Sequence, residues 1–568
     1  VSARQRSIFA DRLRNLAPGE GSGRRWIFVP YDQLTDRVGP LSEQAPGATG
    51  IVLCENAWKA ARRPYHRQKL ALLLANMRHF ALEQAERGVA VRYLCGAAPY
   101  RDLLRPVAEE LGPLTVMEPA ERELRADLAP LARDGLLETV PHAGWLTSPE
   151  QFRRHRPGPP WRMDAFYRLV RRELGVLVEA DGSPVGGKFS FDAENRRPWR
   201  GEPPAAVPPA TEPDAITLEV CALVERRFAR HPGVVDPAAL PATRTQVDAL
   251  WAWARAACLP QFGPFEDAMS TRSTNLFHTR ISALLHLHRL LPRQIVEDVL
   301  AMDDLPLASK EGFVRQVLGW REFVRHVHRE TDGFRNLPGA EVRPEPGDGG
   351  YRTWAGESWA GPDGETGLDG GAAPAALEAD RALPPALWGL PSGLACLDAV
   401  VDSVWREAYG HHITRLMVIA NLGTLLDLDA RQLTDWFWVA YADAYDWVVE
   451  PNVLGMGTHA LGELFTTKPY VSGAAYIDRM SDYCRGCAFD PKKTCPITRL
   501  YWAFLQRNFE RLRGNVRLAM PLRSLERRSP AERERDRRTF EAVSTALGRG
   551  DELSPDGLAA AIRGADRR

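Results

Sequence analysis

Apolar positions along the chain follow two regimes. In the first 145 residues, short apolar runs of strand length alternate with longer periodic stretches. Trp26–Val29, Gly50–Cys54, Val89–Leu94, Leu114–Met117 and Leu137–Val140 read as strands. Between them, His66 to Ala85 sets Leu70, Leu73, Leu74, Met77 and Phe80 on one helical face, and Leu103–Leu111 reads as a helix. Strand–helix alternation predicts a Rossmann-like α/β domain, a parallel sheet covered by helices. From about Ile216 to Arg329, and again from Leu394 to about Leu512, the period is helical throughout. The expected organisation is an α/β domain over 20–150, a linker over 151–215 and a large all-α domain over 216–520. A charged tail over 521–568 follows, helical at Pro530–Leu547. Within the helical part, Gly- and Pro-rich residues 335–385 read as a surface insertion.

Composition narrows the class. Of 568 residues, 44% are apolar and 26% charged, which fits a globular protein and excludes disorder. No run of about 18 uncharged apolar residues occurs, so no membrane helix is expected. Val1–Pro18 carries Arg4, Arg6, Asp11 and Arg12 and has no apolar signal core, so the expectation is a cytoplasmic, monomeric protein. The 73 basic and 73 acidic side chains balance, which argues against a strongly basic nucleic-acid binder. No Gly-x-Gly-x-x-Gly follows the first strand, so the dinucleotide fingerprint is absent.

Three segments carry chemistry. Cys484, Cys487 and Cys495 form Cys-x2-Cys-x7-Cys-Pro, and Cys396 is the remaining cysteine of the C-terminal half. Without an export signal this spacing reads as metal ligation, by an iron–sulfur cluster or by zinc, with unliganded thiols as the bland alternative. Cys54, Cys95, Cys221 and Cys258 read as isolated packing thiols. His411 and His412 open an apolar helical run; neighbours on one helix point about 100° apart and cannot chelate one metal from one face. Asp435 to Trp447 packs aromatic residues and the acids Asp435, Asp443 and Asp446 into a few turns, either as a core or as the lining of a flat conjugated ligand.

At this point the residues resemble a known family. Asp32-Gln33-Leu34, His66 to Lys69, Met77 to Ala81, Gly186 to Arg196, Glu311 to Phe323, the His411-His412 segment and Thr467 to Cys484 are similar, in order, to the photolyase–cryptochrome superfamily, specifically the prokaryotic iron–sulfur branch with its bacterial (6-4) photolyases and related cryptochromes. The resemblance runs from about Trp26 to Met520. It implies light-driven repair of UV-damaged DNA by electron transfer from reduced FAD, with a cryptochrome-like photoreceptor as the alternative. FAD would be held by His278, Ser282, Trp320, Arg321, Arg415, Asp443, Asp446 and Asn452. A [4Fe-4S] cluster would sit on Cys396, Cys484, Cys487 and Cys495. A 6,7-dimethyl-8-ribityllumazine antenna would lie near Asp32, Gln33, Glu55 and His66. His411, then His412, and Tyr470 would face the lesion, with Tyr476 near the lesion or flavin. Trp388 and Trp436 would carry electrons, and Lys188, Lys468 and Arg479 would contact phosphates around the flavin opening, with acids elsewhere.

The chain departs from the family pattern at several positions. Tyr31 stands where a glycine precedes Asp-Gln-Leu, which bears on the antenna. His286 and His288 replace smaller residues beside the flavin motif. Phe437 replaces an electron-transfer tyrosine, and Val449, followed by Glu450, replaces an acid that can face the flavin.

Overall fold

The protein is described by a computed structural model, in full for residues 7–16, 23–337 and 371–563; of the segment between, the backbone of 340–341, 344–346, 353–354, 357–358 and 369–370 is also described. Most of the insertion read at 335–385 therefore lies outside the described residues.

Five parallel strands form the first domain: β1 (Arg25–Phe28), β2 (Thr49–Asn56), β3 (Ala90–Gly96), β4 (Leu114–Met117) and β5 (Leu137–Val140), in the order β3-β2-β1-β4-β5. β2 is buried along its whole length, the mark of a strand covered on both faces. The chain winds outward from β1 in one direction and from β4 in the other. The crevice beyond the ends of β1 and β4 is thus the switch point where such sheets take ligands. The helix Arg67–Glu86, predicted as one-sided, is buried nearly all round, including Gln68, Lys69, Asn76, Arg78 and His79. It lies between the sheet and the helices Ile8–Leu16 and Ala215–Arg227. Its polar groups are satisfied internally: Lys69 donates to the Trp438 carbonyl (2.9 Å) and Asn76 to the Pro241 carbonyl (3.1 Å).

The remaining described residues are largely helical. The stretch read as a linker is not all loop: Pro149–His155 and Met163–Leu174 are helices, the first opened by a Ser148–Gln151 capping box. Phe152 and Phe166 pack against Phe323 and His326, so the linker belongs to the helical core. The tail likewise docks. Helix Pro530–Arg549 buries Phe540, Val543 and Leu547 and packs on helix Ile497–Arg507. Among the described residues, no helix is long and apolar enough to cross a membrane.

Candidate functional site

His411 precedes a helix that begins at His412, so the offset expected for neighbours on one helix does not hold. The His411 ring stacks on His278 at 4.4 Å and 6°, and His412 meets His278 edge-on at 5.3 Å. One nitrogen of each of the three lies within 4.8 Å of the others. His278 and His411 lie in nearly parallel planes and form a stack, to which His412 stands edge-on. His278 Nε2 is 3.2 Å from the Glu266 carbonyl, an acceptor only, so that nitrogen carries the proton. Burial, with repulsion from the neighbouring rings, holds His278 well below the usual imidazole range. Burial, His412 and Arg415 do the same for His411. Burial together with Arg315 and Arg415 lowers His412 to about 4. All three are therefore neutral at pH 7 in the free protein. His411 is 4% exposed, whereas 41% of the His412 side chain is accessible, so His412 is the ring that a bound molecule meets first.

Around that edge the rim is of mixed charge. Tyr476 donates to Asp267 (3.2 Å), whose other oxygen is 4.0 Å from His412 Nε2. Arg196 bridges Asp267 (3.7 Å) and Asp192, and Arg315 reaches Asp192 (3.3 Å). Burial and then Asp192 raise the Tyr470 phenol, which places Tyr470 on the same rim. Arg479 lies over the Tyr476 ring (5.8 Å). Lys188, however, pairs with Glu194, and Lys468 is half-buried beside Tyr470. Acids and bases interleave here, which corrects the expectation of a basic rim with its acids elsewhere.

Of the residues expected to hold flavin, Ser282, Arg415 and Asp443 come together. Ser282 donates to Asp443 (2.7 Å), as does Arg415 (3.0 Å), and Arg415 Nε donates to the Gly410 carbonyl just before His411 (2.7 Å). Burial would raise Asp443, but Arg415, His286 and Ser282 outweigh it and hold the carboxyl below its ordinary range. His286, unexpected at this motif, binds the Asp443 carbonyl (2.8 Å) and so fixes the backbone. Arg321 lies over the Trp145 ring at 4.0 Å. Arg321 Nε, Tyr441 Oη and His411 Nδ1 are buried without a hydrogen-bond partner, which fits a planar polar ligand against this set. Trp320 is half-buried and packs edge-on to Phe323. Two expected contacts turn elsewhere. Asp446 accepts the backbone N–H groups of Arg122 (2.7 Å) and Glu123 (3.3 Å), capping the helix Arg122–Arg133 of the first domain. Asn452 donates to Val448 one turn back (2.8 Å). Glu450 is likewise committed, to His328 (2.8 Å) and Arg431 (2.7 Å), so it does not replace the acid missing at Val449.

The four cysteines line one small cavity with Leu394, Ala474, Ile477, Tyr483, Phe489 and Ile497. Burial raises the thiols of Cys396, Cys484 (to about 12) and Cys495 (to about 11), and the neighbouring thiolates add to it. A single zinc with Zn–S near 2.3 Å needs its sulfurs about 3.8 Å apart. Among the described residues, the one trio of donors within 4.8 Å of one another is the histidine set, so these sulfurs are not drawn together as one bound zinc would hold them.

The antenna set divides. Asp32 and Gln33 lie at the switch point, where Asp32 accepts the Ala120 N–H (3.4 Å) and Gln33 donates to the Met117 carbonyl (2.8 Å). Glu55 is spent on Arg78 (2.6 Å) and Tyr93 (2.7 Å). His66 caps helix Arg67–Glu86 and stacks on Trp405 (5.8 Å, 10°). Between Asp32 and Glu121, Tyr31 fills the crevice: it is 3% exposed, hydrogen-bonded to Glu121 and stacked on Tyr445 (6.2 Å, 12°), with Lys59 over its face. Tyr31 thus stands, packed and hydrogen-bonded, at the turn where the resemblance has a glycine. Trp436 and Trp388 are both buried and both in contact with Trp405, which sequence reasoning missed because no spacing links Trp405 to either.

Comparison with known proteins agrees with this architecture. The family profile of deoxyribodipyrimidine photo-lyase-related protein matches residues 27–240. A (6-4) photolyase of Agrobacterium fabrum is 33% identical over 513 residues, covering 87% of this chain and 94% of that protein. An uncharacterised protein, R855, of Acanthamoeba polyphaga mimivirus is 31% identical over 102 residues, 18% of this chain and 80% of that protein. In fold, a bacterial class III photolyase of Agrobacterium tumefaciens superposes with a TM-score of 0.50 at 14% identity, covering 97% of this chain and 99% of that one. A cryptochrome of Synechocystis sp. PCC6803 does so with the same score and identity over 78% and 83%. With one relative matched along almost its whole length, the chain belongs to the photolyase–cryptochrome superfamily, in its bacterial branch.

Proposed function

We propose that the chain is a light-driven DNA repair enzyme, a (6-4) photolyase that reverses pyrimidine–pyrimidone photoproducts. One observation carries the reading. An accessible imidazole, His412, backed by the His278–His411 stack and flanked by Tyr470 and Tyr476, adjoins the Ser282–Arg415–Asp443 set through Gly410. The Agrobacterium fabrum relative that bears the name (6-4) photolyase supports it.

A photolesion is inaccessible inside the duplex and must be flipped out, which is cheaper where pairing is already damaged. Bound FAD, reduced and illuminated, supplies the electron. Asp443, kept ionised, and Arg415 would orient that cofactor, while Cys396, Cys484, Cys487 and Cys495 would hold a [4Fe-4S] cluster. Undoing a (6-4) product also returns a hydroxyl from one ring to the other, which requires a proton donor. His412 is that donor, with His411 behind it. Neutral in the free protein, His412 gains its proton when DNA phosphate brings negative charge beside it. Arg479, Lys468 and Lys188 would contact phosphate.

A second reading, a cryptochrome-like photoreceptor, is favoured by one feature: Glu194 neutralises Lys188, and Asp192 and Asp267 share the rim, so attraction for phosphate is weak. The two part in one experiment. Duplexes carrying a single (6-4) or cyclobutane lesion are illuminated with the reduced protein, and products are resolved chromatographically. Restored thymines from the (6-4) duplex, slowed about 10²–10⁴-fold in His412→Ala and His411→Ala, support repair. Bound flavin with no restored base from either lesion refutes it in favour of the photoreceptor.

A further inference from the structure

Two apolar side chains stand in solvent beside the rim: Val516 is 86% exposed and Met520 79%. Scattered apolar groups on a surface are ordinary, but these two form one face. The turn Val516–Leu518 runs straight into the helix Ala519–Glu526. Leu518, Leu522 and Leu525, spaced i, i+4, i+7, are buried, so Val516, Met520 and Arg523, with the same spacing, share the opposite side. Asn515 pins this turn to the rim. It accepts the Arg517 N–H (3.0 Å), and its amide donates to Glu463 (2.7 Å) and to the Thr467 carbonyl (2.7 Å), three residues before Tyr470. Arg517 is near enough for its charge to oppose the rise that burial and Asp192 cause in the Tyr470 phenol. It also bears on Arg162, which burial lowers and which Arg156 and Arg517 lower further, against Glu463. Among the described residues, neither Arg517 nor Arg523 makes an ion pair. A bare apolar pair is thus flanked by uncompensated positive charge at the edge of the histidine site.

We propose that Val516 and Met520 are a wedge that enters the damaged duplex beside the flipped lesion, with Arg517 and Arg523 on the adjoining phosphates; this rests on the repair reading above. Flipping two joined bases out of a duplex leaves a gap in the stack and bares the faces of the neighbouring bases. Apolar side chains inserted at a base step cover such faces. Methionine, unbranched and polarisable, follows an irregular aromatic surface, while valine is stiff about its first side-chain bond and keeps its shape. The partner that suits both bare apolar groups and unpaired arginines is a polyanion with exposed flat apolar faces, which opened DNA is. The wedge also answers the mixed charge of the rim. With Lys188 spent on Glu194 and acids among the bases, attraction for phosphate alone is weak and does not tell damaged from intact DNA. Filling a gap does tell them apart, because an intact duplex would first have to be unstacked.

The test measures binding in the dark, by fluorescence anisotropy, of the flavin-loaded protein to one (6-4) lesion placed either in a duplex or in the same strand alone. The single strand has no stack to fill, so the ratio of the two affinities isolates the wedge. Val516→Ser combined with Met520→Ser should lower the duplex-to-single-strand ratio at least about tenfold. Both side chains are exposed, so parental flavin content checks that the fold is kept. Val516→Leu combined with Met520→Leu keeps the apolar face and should restore the ratio. Arg517→Gln combined with Arg523→Gln should instead flatten the salt dependence of binding, by about one in the log–log slope per lost contact, equally on damaged and undamaged duplexes. Equal losses on duplex and single strand, or no loss, would overturn the wedge, while repair by the parent would leave the photolyase reading standing. A parent dimer that falls apart in the serine variant, with DNA binding unchanged, would give this face to a second copy and also overturn it. If the parent neither binds nor repairs the lesion, both fall.

Discussion

Tyr31 sits where the sheet of the first domain would otherwise take a ligand, and its ring, hydrogen-bonded to Glu121 and stacked on Tyr445, is the occupant. Tyr31→Gly should empty that volume and create binding of 6,7-dimethyl-8-ribityllumazine, read by fluorescence titration; binding by the parent as tight as by the variant would defeat the idea. His412 makes a second residue-scale forecast. A group held at about 4 does not titrate near neutrality in the free enzyme. The pH profile of kcat/KM, which reports free-enzyme groups, should show no histidine inflection between about pH 6 and 8. An inflection there that vanished in His412→Ala would place its free-state pKa wrongly. At this scale the sequence was partly legible. The cysteines announce themselves by spacing, and they do line one cavity. Tyr31 was visible as a departure, but not as the filler of a crevice made by the loops after β1 and β4. Trp405 was invisible, because ring contacts and a shared carbonyl in a distant turn, with no spacing in the sequence, join it to its partners.

Elements were legible where apolar runs or an apolar face mark them and illegible where charge is dense. The five strands stand out as runs of Val, Ile and Leu. Helix Met163–Leu174 hid behind Arg168, Arg171 and Arg172, although Phe166, Tyr167 and Val170 are buried. Helix Ala430–Ala440 shows what a buried charge network does to an element. Arg431 there pairs with Asp435 and Glu450, all nearly inaccessible. Arg431→Met should destabilise the protein by about 3–5 kcal/mol, because it strands two buried carboxylates; denaturant unfolding measures this, and a loss under about 1 kcal/mol would contradict it. The cysteine cavity is a clasp of the same kind. Cys396 stands near the start of helix Ala395–Glu407, and its three partners lie between Tyr483 and Ile497. Cys396→Ser should remove iron and visible cluster absorbance and lower the unfolding midpoint; a variant with parental iron content would refute the assignment.

For the molecule as a whole, the histidines set the response to acid. Burial keeps His66, His231, His412 and His459 at about 4 and His286 and His288 at about 3, against 6.5 when unfolded. Between those values the unfolded chain binds more protons. Stability should therefore decline as pH falls below about 6.5 and go on declining to about 4. Asp32 and Asp435, raised to about 6, and Glu266, raised to about 7, act in the opposite sense, relieving the fold as they protonate, but they are fewer. Thermal unfolding across that interval should show a falling midpoint; a midpoint unchanged to about pH 5 would contradict this balance. The two domains are also bound together through the backbone. Asp446 caps a helix that begins at Arg122, and the Val439 carbonyl receives the His66 N–H (2.9 Å). During synthesis, then, the ribosome releases the first sheet more than 300 residues before the carboxylate that caps one of its helices exists. The cap on helix Arg122–Arg133 can therefore form only once the helical half has been made as far as Asp446, and a chain cut short of that residue should leave this helix start unsatisfied.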